Sequence, residues 1–245
     1  MTSAKHSWIL GASSGIGAAL ARELASRGER VCISARNAEA LAALASSLPG
    51  TGHLALPVDV SDADALKAAS DNLWHDWGRI DRVIFMAGLY TPMELAALDL
   101  AETERIVKVN LLGAFYLVAA ALPHLTAQGN GQLALCASVA GYRGLPGGQP
   151  YGATKAGLIN LAESLRAEQG KALDIRVINP GFVESRLTAK NTFRMPMQIS
   201  AAQAAVAIAN GLNGRSFEIH FPKGFTLIMK LFRLLPHWLY FRTVA

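Results

Sequence analysis

Short runs rich in Val, Ile and Leu alternate with longer, alanine-rich amphipathic stretches along this chain, and that alternation limits its fold more than any other feature. Strands apolar along their whole length are covered on both faces, and crossovers of a dozen or more residues make neighbouring strands run parallel. The runs predict strands over 7–10, 30–35, 53–58, 82–87, 132–137, 174–178 and 217–221. Between them the periodicity predicts helices over 15–27, 38–47, 62–77, 103–127, 151–169 and 201–212. The fold class is therefore α/β: a Rossmann-type doubly wound parallel sheet of about seven strands in one domain, residues 1–221, with an apolar basic extension over 222–245. Such sheets bind ligands beyond the carboxyl ends of their strands, where the functional residues are expected.

At 245 residues and 51% apolar content the chain can bury one large core, and no repeat or linker marks a second domain. Cys32 and Cys136 each sit inside an apolar run, which suits reduced, buried thiols and points to a cytoplasmic setting. The opening residues lead directly into a strand and do not read as a secretory signal. The formal charge of +5 is unevenly placed: after Glu218 there is no acidic residue, while Lys223, Lys230, Arg233 and Arg242 all follow it. The body lacks the basic run or aromatic platform of a nucleic-acid binder. No metal-ligand set is read from the sequence.

The first strand ends in Gly11-Ala12-Ser13-Ser14-Gly15-Ile16-Gly17, and a helical pattern follows at once. Glycines let the backbone turn sharply and approach a pyrophosphate, whose charge meets the open N–H groups of the helix start. Gly11, Ser13, Ser14, Gly15, Ile16 and Gly17 are thus candidates for a dinucleotide cradle, although a tight strand-to-helix turn alone would also use glycine. The second strand ends in Ser34-Ala35-Arg36, where an NAD-binding fold would place an acid against the ribose. Arg36 instead offers several donors to a 2′-phosphate and favours NADP(H). An ordinary surface arginine opening a helix is the competing reading.

Tyr151-Gly152-Ala153-Thr154-Lys155 puts a phenol and an ammonium four residues apart at a helix start, hence on one face. Lowering a tyrosine from its usual pKa by about three units takes roughly 4 kcal/mol of differential stabilisation, which nearby positive charge can supply. Tyr151 could then pass a proton as general acid. Ser138 closes the fifth strand, and Asn110 interrupts an otherwise apolar helix where it is a poor helix former. Singly, each has a plain structural explanation: a cap, a backbone-satisfied amide, an exposed helical pair.

In this order and at these spacings, with the glycine loop and Asn179-Pro180-Gly181, the residues Asn110, Ser138, Tyr151 and Lys155 resemble the tetrad of the classical short-chain dehydrogenase/reductase family over residues 5–221. The resemblance implies hydride transfer between NADP(H) and a carbonyl or secondary alcohol, in a homodimer or homotetramer built through the helices containing Asn110 and Tyr151. It implies that Lys155 binds the nicotinamide ribose and lowers the Tyr151 pKa, and that Asn110 holds a relay water. Asp59, with Val60, would meet the adenine edge, while Ala87 and Gly88 pass close to the cofactor. Pro180 and Gly181 would flank the nicotinamide, and the Val183 backbone would meet its carboxamide. Leu10, Met86 and Ser185 depart from the family pattern, and Leu10 and Met86 are expected to form an apolar contact on the cofactor floor.

The stretch 186–199, with Phe193, Met195, Pro196 and Met197, is read either as a substrate lid suited to a hydrophobic substrate or as a packed connector. Residues 141–150, including Tyr142, Arg143 and Leu145, would form the opposite pocket wall. Beyond Phe221, an almost wholly apolar helix over 226–235 carries Lys230 and Arg233 one turn apart, with Trp238, Tyr240 and Phe241 after Pro236. It is too short to span a bilayer. One reading makes 225–241 a peripheral membrane contact serving a lipid-like substrate; the other packs it on its own domain or on a partner subunit. An NADP-sensing protein without turnover is the alternative function, and the complete tetrad argues against it. Epimerase and dehydratase relatives usually carry a larger C-terminal substrate domain.

Overall fold

The computed structural model describes residues 4–190 and 195–244, so Phe193 lies outside the described residues. Seven parallel strands form one sheet in the order β3-β2-β1-β4-β5-β6-β7: β1 (His6–Leu10), β2 (Arg30–Ser34), β3 (Leu54–Ala55), β4 (Arg82–Phe85), β5 (Gln132–Cys136), β6 (Asp174–Pro180) and β7 (Glu218–Phe221). The order reverses between β1 and β4, which opens a crevice at their carboxyl ends. Strand register is regular across that crevice, with Leu10 opposite Ser34 on one side and opposite Phe85 on the other.

Helices α1 (Gly15–Ser26), α2 (Ala38–Ser47) and α3 (Ala63–Trp77) follow the first three strands. The long apolar stretch after β4 is α4 (Leu100–Val107), a π-turn over Lys108–Leu112, and α5 (Gly113–Gln128). Then come α6 (Tyr151–Gln169), α7 (Ala201–Asn213), α8 (Lys223–Leu234) and α9 (His237–Val244). Their starts are set by side chains that satisfy open N–H groups: Asn37 accepts from Ala40, Asp62 from Ala65, and Ser200 and Gln203 form a reciprocal capping box. One sheet face packs on α3, α5 and α6 through residues such as Phe85, Leu117 and Leu158. The other packs on α1, α2 and α7 through Ile33, Leu20 and Ile208.

Three details differ from the sequence expectation. The edge strand β3 is only two residues long, although the Leu56 and Val58 N–H groups on either side of Pro57 still donate to the Ile33 and Ala35 carbonyls at 2.9 and 3.0 Å. A second tail helix, α9, follows Pro236. Leu10 and Met86 do not share a contact on the cofactor floor: Leu10 lies in one core with Phe85, while Met86 packs against the other. Side chains alternate across a strand, so pairing Leu10 with Phe85 sends the next residue to the opposite face. The link between the two positions is a backbone hydrogen bond, Met86 N–H to the Leu10 carbonyl at 2.8 Å.

The tail packs on its own domain. Thr226, Met229 and Tyr240 are buried, and the Tyr240 hydroxyl donates to the Gly144 carbonyl. Arg143 donates to the carbonyls of Phe232 (2.9 Å) and Leu235 (2.5 Å), and its guanidinium lies 4.0 Å from the Tyr240 ring centroid. Lys230 pairs with Glu218 at 2.6 Å, and Tyr142 donates to the same carboxylate. The expected stripe of Lys230 with Arg233 is therefore split, since Lys230 turns inward to a carboxylate. Likewise Tyr142 and Arg143 hold the tail and β7 instead of lining a pocket wall.

Candidate active site

The glycine loop starts where β1 ends. Gly11 has φ of +88°, and a Cβ there would lie 2.5 Å from the Ala87 nitrogen. At Gly17 a Cβ would run into the Gly11 carbonyl oxygen. Both positions therefore require glycine, and Ala87 lies directly against the loop, while Gly88, next in the chain, faces Lys155 and Asn110. The loop is pinned to β2 by the Gly11 and Ala12 N–H groups, which donate to the Ser34 carbonyl at 2.7 and 3.1 Å. Ser14 occupies the cap position of α1 in extended conformation without a side-chain cap bond to the helix. The first-turn N–H groups of α1, from Gly15 to Gly17, thus point into the loop mouth with no acidic side chain among them. This cradle fits a dinucleotide pyrophosphate.

Arg36 is exposed just beyond β2, before the Asn37 cap of α2. Asp59 lies across from it. Burial raises the Asp59 pKa, but hydrogen bonds from the Ser61 backbone and hydroxyl, with the charges of Arg36 and Lys108, hold the carboxyl below its ordinary value. Val60 is buried next to Asp59, and a Cβ on Gly113 would lie 2.9 Å from its carbonyl oxygen. A further cation comes from a part of the chain that the motifs did not single out: Arg186 donates to the Ser14 hydroxyl at 2.6 Å. Only a long side chain on the loop after β6 can reach the cradle this way, and no spacing rule within β1–α1 would have found it.

At the carboxyl end of β5, Ser138 is buried and its hydroxyl accepts from the Ala140 N–H at 3.1 Å, so it does cap a turn. It also reaches the Tyr151 phenol. Tyr151 is the first residue of α6, partly exposed, and Tyr90 meets its ring edge-on at 5.1 Å between centroids. Lys155, one turn along, is 3% exposed; its ammonium donates to the Cys136 carbonyl at 2.8 Å and sits 5.4 Å from the Tyr151 ring centroid. Asn110 is wholly buried inside the π-turn. Its side chain accepts from the Leu89 N–H at 2.6 Å and donates to the Leu89 carbonyl and the Thr154 hydroxyl. Thr154 in turn donates to the Tyr151 carbonyl at 2.7 Å. An asparagine sits in this apolar stretch because its buried amide ties the π-turn to the Leu89 backbone and, through Thr154, to the start of α6.

Two of the tetrad positions meet at Gly88, where a Cβ would lie 3.5 Å from the Lys155 ammonium and 3.7 Å from the Asn110 side-chain oxygen. Electrostatics in the chain by itself differ from the expectation that Lys155 depresses the phenol. Burial pushes Tyr151 above its ordinary value, with the Ser138 hydrogen bond acting downward, and burial pushes Lys155 down. Both groups are thus shifted toward their neutral forms by burial, which disfavours the charged phenolate and the charged ammonium alike.

Pro180, Gly181 and Val183 lie at the end of β6, opposite the loop. Gly181 donates to the Phe221 carbonyl at 2.7 Å, and a Cβ there would meet the Phe225 ring at 2.7 Å. Val183 is buried and its carbonyl accepts from Thr188 at 2.6 Å. Ser185 exchanges hydrogen bonds with Thr188 and so does the turn-closing work of the more usual threonine. Met195 and Met197 follow in a short segment, and Val183 forms a bridge with Ile199.

A parallel sheet whose carboxyl edge joins a glycine cradle to a Ser, Tyr and Lys cluster defines a dinucleotide-dependent oxidoreductase of Rossmann type. The chain belongs to the short-chain dehydrogenase family, whose model matches residues 5–195. It is 34% identical to an uncharacterised oxidoreductase of Myxococcus xanthus over 235 residues, 95% of this chain and 93% of that one. It is also 34% identical over 201 residues to the cis-4-hydroxycyclohexanecarboxylate dehydrogenase of Sinomonas cyclohexanicum, covering 80% and 79% of the two chains. Among solved structures, an alcohol dehydrogenase from Thermococcus sibiricus, complexed with 5-hydroxy-NADP, superimposes with a TM-score of 0.82 at 27% identity, over 89% of this chain and 96% of that one.

Proposed function

We propose that this enzyme is an NADP(H)-dependent carbonyl reductase or alcohol dehydrogenase acting on a hydrophobic small molecule. The observation that carries the reading is the meeting of Tyr151, Ser138 and Lys155 at the mouth of the glycine cradle. When bound, the nicotinamide supplies or accepts the hydride. Ser138 holds the substrate oxygen by a hydrogen bond against the Tyr151 hydroxyl. A tyrosine is ordinarily protonated at neutral pH and burial shifts Tyr151 further in that direction, so it enters the reductive direction carrying the proton it donates to the developing alkoxide. Lys155, anchored on the Cys136 carbonyl, would orient the ribose, and Asn110, gripped by the Leu89 backbone, would hold the water that replenishes the Tyr151 proton.

Arg36 supports the choice of NADP over NAD, as does the NADP-type ligand of the archaeal structural neighbour. The apolar side chains Met195, Met197, Phe182 and Phe225 near the end of β6 support a hydrophobic substrate. Leu112 and Phe115, exposed by 39% and 46% on the α5 side, support assembly as a homodimer or homotetramer. Cys32 and Cys136 are free and buried, with thiols pushed up by burial, which suits a cytoplasmic enzyme.

The test is NADPH oxidation over a panel of aldehydes and ketones with Tyr151→Phe as control. Loss of the proton donor is expected to lower turnover by about 100- to 10,000-fold while dinucleotide affinity stays within about threefold. Turnover retained by the variant would remove Tyr151 from the mechanism, and dinucleotide binding with no turnover in the unaltered enzyme would leave a sensor.

A further inference from the structure

The tail helices have two faces with different fates. Their inner face is committed to the domain through Met229, Thr226, Tyr240 and the Arg143 and Glu218 contacts. Their outer face exposes Leu227 (57%), Ile228 (45%), Leu231 (62%) and Leu234 (80%) on α8, then Trp238 (64%) and Phe241 (59%) on α9. Leu227, Leu231 and Leu234 follow at helical spacing, with Lys223 one turn before them, so they make one continuous stripe. Cations rim it: Lys223, Arg233 and Arg242 are exposed, and the Arg242 guanidinium lies 5.8 Å from the Trp238 ring centroid. No acidic residue follows Glu218, and Glu218 itself is turned inward to Lys230.

We propose that this face docks on an anionic lipid surface. Charge decides between occupants: a second copy across a twofold axis would set the same cations against each other, whereas an anionic bilayer complements them. Length decides the mode. The 12 residues of α8 extend about 18 Å, well short of a hydrocarbon core of about 30 Å, so the helix lies in the interface instead of crossing it. The face is also preformed, because Arg143 ties the α8 carboxyl end and Tyr240 ties α9 to the same loop. Phe225, at the start of α8, lies 5.1 Å from Phe182 between ring centroids and against Gly181. If the hydrophobic substrate proposed above is correct, its access route therefore adjoins the bilayer; the docking itself does not rest on that reading.

The full chain is mixed with phosphatidylcholine vesicles with and without phosphatidylglycerol, then sedimented. Trp8, Trp74 and Trp77 are buried and Trp238 is exposed, so tryptophan emission change and quenching report the tail directly. The protein is expected to pellet with phosphatidylglycerol vesicles with a blue shift of Trp238, and binding should fall at least tenfold in about 0.5 M salt. The double variant Leu231→Ser with Leu234→Ser should lose at least tenfold in vesicle binding while keeping its dinucleotide affinity, which shows it is folded. Equal pelleting of the two proteins, or no pelleting of either, overturns the proposal. So does a dimer that the double variant dissociates, since the occupant would then be a second copy. Vesicle binding with no NADPH-dependent turnover leaves the docking intact and removes the enzymatic reading.

Discussion

Tyr151 and Lys155 show how far a motif reaches at the scale of one residue. Their spacing on one helix face followed from the sequence, and so did their company with Ser138 and Asn110. Their protonation did not, because burial dominates both shifts and burial is a property of the folded surroundings. The same limit applies to the cofactor phosphates. Arg36 is proposed as a phosphate contact from its place after β2, whereas no local pattern points to Arg186, which reaches Ser14 from 172 residues away. Two arginines at different points of the cradle should be separable by cofactor. Arg36→Ala is expected to weaken NADPH binding by about tenfold to a hundredfold and leave NADH nearly unchanged, as a charged hydrogen-bond partner of the 2′-phosphate would. Arg186→Ala should weaken both cofactors alike, because Ser14 borders the pyrophosphate cradle they share. Calorimetric titration of each variant with both nucleotides decides the assignment, and equal losses for Arg36→Ala would withdraw it as the 2′-phosphate reader.

Among the elements, Glu218 at the start of β7 connects more parts than its sequence position suggests. It accepts from Tyr142 and Asn179 and pairs with Lys230, so a strand, the loop after β5 and the tail meet on one carboxylate. Burial raises its pKa, but the hydrogen bonds of Lys230, Tyr142 and Asn179 with the Lys230 charge hold it below the ordinary value of 4.5. A depressed carboxylate contributes stability that is complete above its unfolded pKa and is lost as pH falls through the lower folded one. Glu218→Gln should therefore cost about 1–2 kcal/mol near neutral pH, seen as a midpoint lowered by roughly 2–8 °C. The gap between the two proteins should close in acid below about pH 4.5. A gap independent of pH would mean that shape, not charge, holds α8 in place. The helices and strands themselves were legible to within a few residues because apolar period and caps are local. What was not legible is contact between distant elements: the inward turn of Lys230, the use of Arg143 by the tail, and the opposite faces of Leu10 and Met86.

For the whole molecule, the sheet separates chemistry from support. The carboxyl edge holds the glycine cradle and the tetrad, while the amino edge, about 16 Å away along five-residue strands, holds a buried polar cluster. There Arg82 pairs with Glu29 at 2.6 Å, with both side chains under 10% exposed. Ser7 donates to the other Glu29 oxygen at 2.5 Å, and the second Arg82 terminal nitrogen donates to Asn213 at 2.5 Å. This ties β1, β4, α7 and the turn before β2 together. Burial pulls the Arg82 pKa down and the Glu29 charge raises it, so the guanidinium depends on its partner. Removing one charge from such a pair leaves the other buried and uncompensated, at a cost of about 3–5 kcal/mol. Glu29→Gln is accordingly expected to lower the calorimetric midpoint by roughly 6–20 °C. The double replacement Glu29→Met with Arg82→Met should recover most of that loss, because neither charge is then stranded. In both variants the dinucleotide dissociation constant should stay within about twofold of the parent at 25 °C, as expected for well-separated sites. A matching loss of cofactor affinity would show that the two edges of the sheet are coupled, and that the amino-edge cluster positions the site as well as supporting the fold.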